Sequence, residues 1–231
     1  MIDGVIFDKD GTLFDFRQSW GGWARRLLHE LAQDEAQARV LGHTMGFDPE
    51  SGHFAPDSPV IAATSDEIAA CLLPHLPGYT IHSLASRMNA LSATAKMAEA
   101  VPLLPLLAAL RARGLKIGLA TNDTEAPARV HLGAHGLTGF FDFIAGCDSG
   151  HGGKPAPGQL IAFASQTGLD PSRVAMVGDS RHDLIAGRAA GMRTVAVLTG
   201  IAEAGELSPL ADAVLPDIGG LPDWIDTLGQ A

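Results

Sequence analysis

Residues 2–13 read Ile-Asp-Gly-Val-Ile-Phe-Asp-Lys-Asp-Gly-Thr-Leu, a short apolar run that stops at a polar cluster. A run of this length, ended by polar residues and a glycine, is typical of a buried strand followed by a turn. We therefore predict that this strand delivers Asp8 and Asp10 to a loop at its carboxyl end. Residues two apart in such a loop can face one pocket.

Further apolar runs along the chain also end in small or polar residues. They are Leu115–Ala120, Arg173–Val177 and Thr194–Leu198, with weaker candidates at Phe141–Ile144 and Ala213–Leu215. Helical patterns lie between them, and alternating strands and helices predict an α/β fold, a Rossmann-like parallel sheet with helices on both faces. Ligands of such sheets bind beyond the carboxyl ends of the strands, which is where the polar residues fall.

Residues 16–97 break this alternation. Helical spacing appears at Trp20–Leu31, Asp66–Leu73 and Ser83–Glu99, whereas Gly42–Pro59 is rich in Gly, Pro and His and predicts a loop. We therefore predict a core domain of residues 1–15 and 98–231 and a mostly helical domain of residues 16–97 inserted into it.

Composition limits the classes of function. The 231 residues carry 16 Lys and Arg against 26 Asp and Glu, a net charge of −10. This balance argues against a nucleic-acid binder, which usually has a basic face, and against attraction to anionic membranes. The two cysteines have no C-x-x-C spacing and predict buried thiols. The sequence shows no basic leader followed by an apolar segment, so we expect a cytoplasmic protein.

Four polar clusters follow, or lie near, the predicted strand ends. They are Asp8-x-Asp10, Thr121-Asn122, Lys154 in Gly152-Gly153-Lys154-Pro155, and Gly178-Asp179-Ser180-Arg181-His182-Asp183. Each has a structural alternative: a solvated turn, a helix cap, an exposed lysine, and an N-cap with a first-turn acid. Their common position near strand ends favours a shared site.

The clusters supply what phosphoryl transfer needs: a nucleophile, neutralisation of the phosphoryl oxygens and a proton for the leaving group. One carboxylate of Asp8 and Asp10 can attack phosphorus while the other acts as acid and then base. Asp179 and Asp183 suit a hard cation such as Mg²⁺, which binds few protein carboxylates together with waters and substrate phosphate.

With these motifs the sequence resembles the haloacid dehalogenase superfamily, specifically its phosphatases. The matching segments are Phe7-Asp8-Lys9-Asp10-Gly11-Thr12-Leu13, Ala120-Thr121-Asn122, Gly153-Lys154-Pro155 and Gly178-Asp179-Ser180-x-x-Asp183. The inserted helical region resembles the type I cap of the phosphoglycolate phosphatase-like branch.

The resemblance implies a role for each matching residue. Asp8 is the nucleophile and a metal ligand, and Asp10 is the general acid/base with its backbone carbonyl on the metal. Thr121, Asn122 and Lys154 bind the phosphate, and Lys154 also steadies the nucleophile. Asp179 and Asp183 complete the site for the Mg²⁺ cofactor. Lys9 departs from the family pattern, and we expect it to add positive charge without disturbing the carboxylates.

The resemblance predicts a phosphatase acting through an aspartyl-phosphate on a small organic phosphate monoester such as phosphoglycolate. A phosphomutase of the same branch is the alternative, and a non-catalytic binding protein on this fold is a weaker one, because all four carboxylates are present. The sequence gives no indication of an oligomeric state.

Several residues outside the motifs are candidates for binding roles. His131 and His135 are four apart, as in a zinc pair, but packing or surface roles are favoured. Trp20 and Trp23 are interpreted as packing residues, with an aromatic wall for substrate as the alternative. Candidates for recognising a second anionic group of the substrate are Arg17, His43, His53 and Arg87.

Overall fold

The computed structural model describes residues 1–229. Within them, six strands form one parallel sheet in the order β3-β2-β1-β4-β5-β6. The strands are β1 Gly4–Phe7, β2 Lys116–Ala120, β3 Phe143–Ala145, β4 Val174–Gly178, β5 Arg193–Val197 and β6 Ala213–Leu215. The predicted α/β fold is confirmed, and the two weaker strand candidates form the edges of the sheet.

Ten α-helices accompany the sheet in the described part of the chain. They are α1 Phe16–Leu31, α2 Glu35–Thr44, α3 Ser65–Leu72, α4 Ile81–Ser92, α5 Leu103–Ala112, α6 Glu125–Ala134, α7 Gly158–Thr167, α8 Arg181–Ala189, α9 Ala204–Leu207 and α10 Leu221–Leu228. Parallel strands need crossover connections, and α5–α9 lie in the connections that lead to β2–β6. No helix of residues 1–229 is both long and apolar enough to cross a bilayer.

Helices cover both faces of the sheet. Successive side chains of a strand point to opposite faces. Accordingly, Val5 and Phe7 belong to a buried cluster that includes Leu107 of α5, whereas Ile6 belongs to a second cluster with Phe163 of α7. This two-sided burial explains why the strand sequences are continuously apolar rather than alternating.

The strand order brings three loops to one edge of the sheet. β1 is central, and Phe7 lies opposite Leu119 of β2 on one side and Val177 of β4 on the other. The chain therefore reverses its direction of winding at β1. In open α/β sheets this switch point is where ligands bind, and here it gathers the loops after β1, β2 and β4.

The inserted helices α1–α4 leave and rejoin the core through two connections that run side by side. The backbone N–H of Asp15 donates to the carbonyl oxygen of Ala98 at 2.8 Å, and the N–H of Ala100 donates to that of Leu13 at 2.9 Å. A single buried cluster extends from Phe7 of the sheet into the insertion. The domain limits at residues 15/16 and 97/98 stay a prediction.

The insertion differs from its predicted pattern in two places. Helix α2 was missed, because only Leu41 and Gly42 of its residues are buried and most of the helix faces solvent. Helix α4 ends at Ser92 rather than continuing to Glu99. Beyond Ser92 the chain returns to α1, where the N–H of Ala98 donates to Ser19 Oγ at 3.1 Å. The prediction of two buried thiols is also wrong, because Cys71 is exposed and Cys147 is only partly buried.

Candidate active site

Asp8 is the first residue after β1, and only 8% of it is exposed. Its backbone N–H donates to the carbonyl oxygen of Val177 at 2.9 Å, which ties the loop after β1 to β4. Gly11, with φ of 82°, then turns the chain in a conformation that glycine adopts readily. These contacts hold the Asp8 carboxylate at the edge where β1 and β4 end.

Lys154 reaches the same edge from the loop before α7. Its Nζ lies 2.6 Å from an oxygen of Asp8 and 2.6 Å from an oxygen of Asp183, and all three residues are buried. Burial opposes the charge of the ammonium, but Asp183 and Asp8 outweigh burial and raise the pKa of Lys154. Lys154 is therefore a fixed positive charge between two carboxylates.

Three buried carboxylates converge beside Lys154. One oxygen from each of Asp8, Asp179 and Asp183 lies within 4.8 Å of the others. Burial raises the pKa of Asp8 to about 7; Lys154 opposes this shift, and the neighbouring Asp183 and Asp10 add to it. Burial, followed by the charges of Asp183 and Asp8, raises the pKa of Asp179 well above its ordinary value. A bound cation would relieve this concentration of negative charge.

The surroundings of Asp179 fit a hard metal ion. Its Oδ2 is buried and has no hydrogen-bond partner among the described residues, which is costly for a carboxylate oxygen. A Cβ added at Gly11 or Gly200 would lie 2.3 or 1.7 Å from this oxygen, so both backbones approach it closely. A cluster of carboxylate oxygens is the ligand type that Mg²⁺ prefers. The residues present therefore suit the expected cofactor.

Asp183 combines a structural contact with its place in the cluster. Its Oδ2 accepts from the backbone N–H of Ser180 at 3.0 Å and from the Ser180 hydroxyl at 2.7 Å, as part of the capping box of α8. Its Oδ1 is the atom that pairs with Lys154. The helix-cap alternative and the predicted site role thus use different oxygens of one carboxylate.

Thr121 and Asn122 follow β2 and line the cavity over Asp8. The Thr121 hydroxyl accepts from the N–H of Asp123 at 3.0 Å and keeps its own proton to donate. The Asn122 side chain accepts from the N–H of Lys154 at 2.8 Å and donates to its carbonyl oxygen at 2.8 Å. Asn122 therefore holds the Lys154 loop, and its contact with phosphate stays a prediction.

Asp10 lies beside the cluster with both side-chain oxygens engaged. Trp20 Nε1 donates to Oδ1 at 2.9 Å, and Lys9 Nζ lies 3.0 Å from Oδ2. The metal contact assigned to Asp10 runs through its backbone carbonyl, so these contacts leave that prediction open. They do show that the inserted helix α1 touches the loop after β1.

Lys9 is fully buried and is bonded to more of the site than we expected. Its Nζ lies 2.7 Å from an oxygen of Asp123 and 3.1 Å from Nδ1 of His131, in addition to its contact with Asp10. Burial opposes its charge, but Asp10 and Asp123 outweigh burial and raise the pKa of Lys9. Lys9 therefore pairs directly with the Asp10 carboxylate, in addition to placing the expected positive charge beside the site.

Asp123 and His131 were not predicted to belong to the site. His131 is buried, and its Nε2 lies 2.8 Å from the carbonyl oxygen of Ser92 in the insertion. His135 instead lies 2.9 Å from Glu99, so the two histidines serve separate contacts and the preferred packing interpretation stands. Lys9 follows a buried strand, and a buried lysine needs a carboxylate nearby. This requirement is the feature of the sequence that could have indicated a partner such as Asp123.

A cavity with a volume of about 70 Å³ lies between the sheet edge and the insertion. The core contributes Asp8, Asp10 and Lys154 to its walls, and the insertion contributes largely apolar side chains such as Trp20 and Met88. A mostly apolar cavity with a few convergent polar groups is typical of a small-molecule site.

Known proteins are similar to this chain in sequence and in fold. The family model described as haloacid dehalogenase-like hydrolase matches residues 2–191. The chain is 33% identical over 235 residues to a phosphoglycolate phosphatase of Rhodospirillum rubrum, covering 97% of this chain and 91% of that protein. It is 34% identical over 199 residues to pyrophosphatase PpaX of Bacillus pumilus, covering 85% and 83%. The crystal structure of CbbY from Rhodobacter sphaeroides in complex with phosphate has a TM-score of 0.73 at 23% identity, covering 96% of both chains.

The matched range, residues 2–191, contains all four polar clusters and the whole insertion. The relatives are named as hydrolases and align with this chain over most of their own length. An enzyme is therefore favoured over a non-catalytic binding protein on the same fold. The chain therefore belongs to the haloacid dehalogenase-like hydrolases and is a phosphatase of that family.

Proposed function

We propose that this protein is a Mg²⁺-dependent phosphatase that hydrolyses a small organic phosphate monoester through an aspartyl-phosphate on Asp8. The observation that carries the proposal is the 2.6 Å contact of Lys154 Nζ with Asp8, inside the cluster of Asp8, Asp179 and Asp183. A carboxylate, a fixed ammonium and ligands for a divalent cation are the parts that phosphoryl transfer uses. The names of the relatives make phosphoglycolate one candidate within this class.

In the first step an oxygen of Asp8 forms a bond to phosphorus while the bond from phosphorus to the ester oxygen breaks. Asp10, in its acid form, gives its proton to that oxygen, so the product leaves as a neutral alcohol. The Thr121 hydroxyl, the backbone N–H of Asn122 and the Lys154 ammonium bind the phosphoryl oxygens, since the Asn122 side chain is engaged with Lys154 and Ala62. Mg²⁺, held by Asp8, Asp179, Asp183 and the carbonyl of Asp10, would neutralise charge on the phosphoryl group.

In the second step Asp10 is a carboxylate and accepts a proton from water. The water oxygen bonds to phosphorus as the bond from Asp8 to phosphorus breaks, which releases inorganic phosphate and restores Asp8. The two carboxylates can take different roles because their surroundings differ. Asp8 pairs with Lys154, whereas Asp10 contacts Lys9 and Trp20.

Substitution of the nucleophile tests the proposal directly. Asp8→Asn should abolish phosphate release from p-nitrophenyl phosphate, and acid-quenched wild-type protein should carry a phosphoryl group on Asp8. Asp57→Asn, in an exposed loop of the insertion, serves as the matched control and should retain activity. Substantial turnover by Asp8→Asn would rule out the proposed nucleophile.

Metal removal tests the cofactor. EDTA should inactivate the protein, and Mg²⁺ should restore its activity and raise its melting temperature, because a ligand that binds only the folded state stabilises it. The stabilisation should be lost in Asp179→Asn. Full activity in the presence of EDTA would contradict the metal assignment.

Release of inorganic phosphate, rather than an isomerised sugar phosphate, separates this function from the phosphomutase alternative. A cytoplasmic location and the lack of binding to nucleic acids or membranes stay predictions from the sequence.

A further inference from the structure

We propose that the substrate is a phosphate monoester whose leaving group carries no negative charge. This inference rests on the proposed function, narrows its substrate class and excludes phosphoglycolate from that class. The walls of the cavity around Asp8 and the pairing of the cations beside them both disfavour a second negative charge on the substrate.

The insertion is seated on the catalytic loops, so its side chains form the wall that a leaving group would meet. The Asn122 side-chain amide donates to the carbonyl oxygen of Ala62 at 2.7 Å, and Trp20 donates to Asp10. These bonds join the insertion to the loops after β2 and β1. The cavity is consequently bounded by the core on one side and the insertion on the other.

The wall contributed by the insertion is mainly apolar. It includes Phe16, Trp20, Val60, Ile61, Ile68 and Met88. The indole N–H groups of Trp20 and Trp23 already donate to Asp10 and to the carbonyl oxygen of Met88. Moving a carboxylate or second phosphate against such a wall removes its hydration without replacing it, which is strongly unfavourable.

The core side of the cavity is acidic, and its cations are already paired. Asp8, Asp10, Asp123 and Asp183 all line the cavity. Lys154 is held between Asp8 and Asp183, and Lys9, behind the wall, is held between Asp10 and Asp123. A second negative charge on the substrate would face Asp10 and Asp123 while their counter-ion is engaged with them.

The polar side chains of the insertion wall can bind an uncharged leaving group. The Ser65 hydroxyl donates to Asn89 Oδ1 at 2.6 Å, and Asn89 also lines the cavity. Among the described residues, none accepts a hydrogen bond from Asn89 Nδ2, which is therefore free to donate to a neutral oxygen. An amide donor can serve a hydroxyl or carbonyl oxygen without supplying a charge.

The basic residues that the sequence suggested for binding a second anionic group of the substrate lie outside this cavity. His43 and His53 line a different cavity, Arg87 pairs with Glu30, and Arg17 is exposed on α1. The half-buried His182, in the first turn of α8, is the remaining basic side chain on the cavity wall. It lies on the core side of the cavity, in the helix that carries Asp183.

The test compares two isosteric substrates, phosphoglycolate and its primary amide. The kcat/KM for phosphate release is measured, or the inhibition constant against p-nitrophenyl phosphate where hydrolysis is too slow to follow. The kcat/KM of the amide should exceed that of phosphoglycolate by about 100-fold, the effect expected when a buried polar group is left without a hydrogen-bond partner. Ile61→Lys should narrow the preference about tenfold by supplying a counter-charge, and Ile61→Gln, its matched polar control, should not.

Any outcome other than a preference for the amide overturns the inference. If the kcat/KM of phosphoglycolate equals or exceeds that of its amide, the protein accepts an anionic leaving group. The proposed function would then stand and the inference would fail. In that case, loss of the advantage in His182→Gln would identify His182 as the group that binds the anionic leaving group. If neither compound nor p-nitrophenyl phosphate releases phosphate, the proposed function fails and the substrate class fails with it.

Discussion

Trp20 Nε1 donates a hydrogen bond to Oδ1 of Asp10 at 2.9 Å, although Trp20 belongs to the inserted helix α1 and Asp10 to the loop after β1. Lys9 holds the other oxygen of the same carboxylate at 3.0 Å. The orientation of the proposed acid/base is therefore set jointly by its neighbour in sequence and by the insertion. Seating of the insertion and alignment of Asp10 are coupled through this bond.

Trp20→Phe tests that coupling, because it keeps a large ring and removes only the N–H donor. We expect kcat for alkyl phosphates to fall about tenfold, a part of the 10²–10⁴-fold that a positioned acid contributes. Aryl phosphates, which have better leaving groups, should be affected less. Trp23→Phe is the matched control, since its N–H donates to the Met88 carbonyl oxygen. An equal loss for both substrate types would contradict a positioning role.

Lys9→Met should destabilise the protein by about 3–5 kcal/mol, because it leaves the carboxylates of Asp10 and Asp123 without their buried cation. Urea unfolding measures the change. The double variant Lys9→Met, Asp123→Asn should recover part of the loss. The control Lys116→Met removes a half-exposed pair with Asp142 and should cost less than about 1 kcal/mol. Similar losses for the two lysine variants would contradict the assigned contacts.

Gly200→Ala should weaken Mg²⁺ binding, because the added Cβ would lie 1.7 Å from Asp179 Oδ2 and would displace that carboxylate. Displacing a ligand by altering its support lowers metal affinity by about 10–100-fold. The Mg²⁺ concentration for half-maximal activity measures the effect. Gly205→Ala, with nothing within 4 Å of its added Cβ, should leave this concentration unchanged. An unchanged Mg²⁺ requirement in Gly200→Ala would remove Asp179 from the metal site.

His131 should make stability depend on pH in mildly acidic solution. Burial, and then the charge of Lys9, lower the pKa of His131 below its ordinary value of 6.5, against the opposing effect of Asp10. Just below pH 6.5 the His131 side chain therefore binds a proton in the unfolded chain but not in the folded protein. The stabilising contribution is complete above pH 6.5 and is lost as the pH falls toward the lowered pKa.

Replacing His131 checks this sign. In His131→Gln the free energy of unfolding should fall less steeply below neutrality, by up to about 1.4 kcal/mol per pH unit. Urea titrations across mildly acidic pH measure the slope. His82→Gln, at an exposed position of the insertion, is the control. A slope in His131→Gln identical to that of the wild type would show that His131 does not titrate differently on folding.

The alternation of apolar runs and helical patterns predicted the sheet and the position of its strand ends. Asp8, Thr121 and Asp179 each follow a strand by one residue, so their meeting at one edge could be expected from the parallel arrangement. Helix α2 was missed because only Leu41 and Gly42 of its residues are buried, and the end of α4 was missed because the chain beyond it contacts the distant Ser19.

Local sequence patterns predicted the type of most elements and the chemistry of the side chains at their ends, and the motifs indicated the family. Only the tertiary structure decided the partners of Lys9, which reaches Asp123 and His131, and the apolar wall that faces Asp8. The physical reason is that apolar periodicity acts over a few residues, whereas ion pairing and burial depend on distances between residues more than a hundred positions apart.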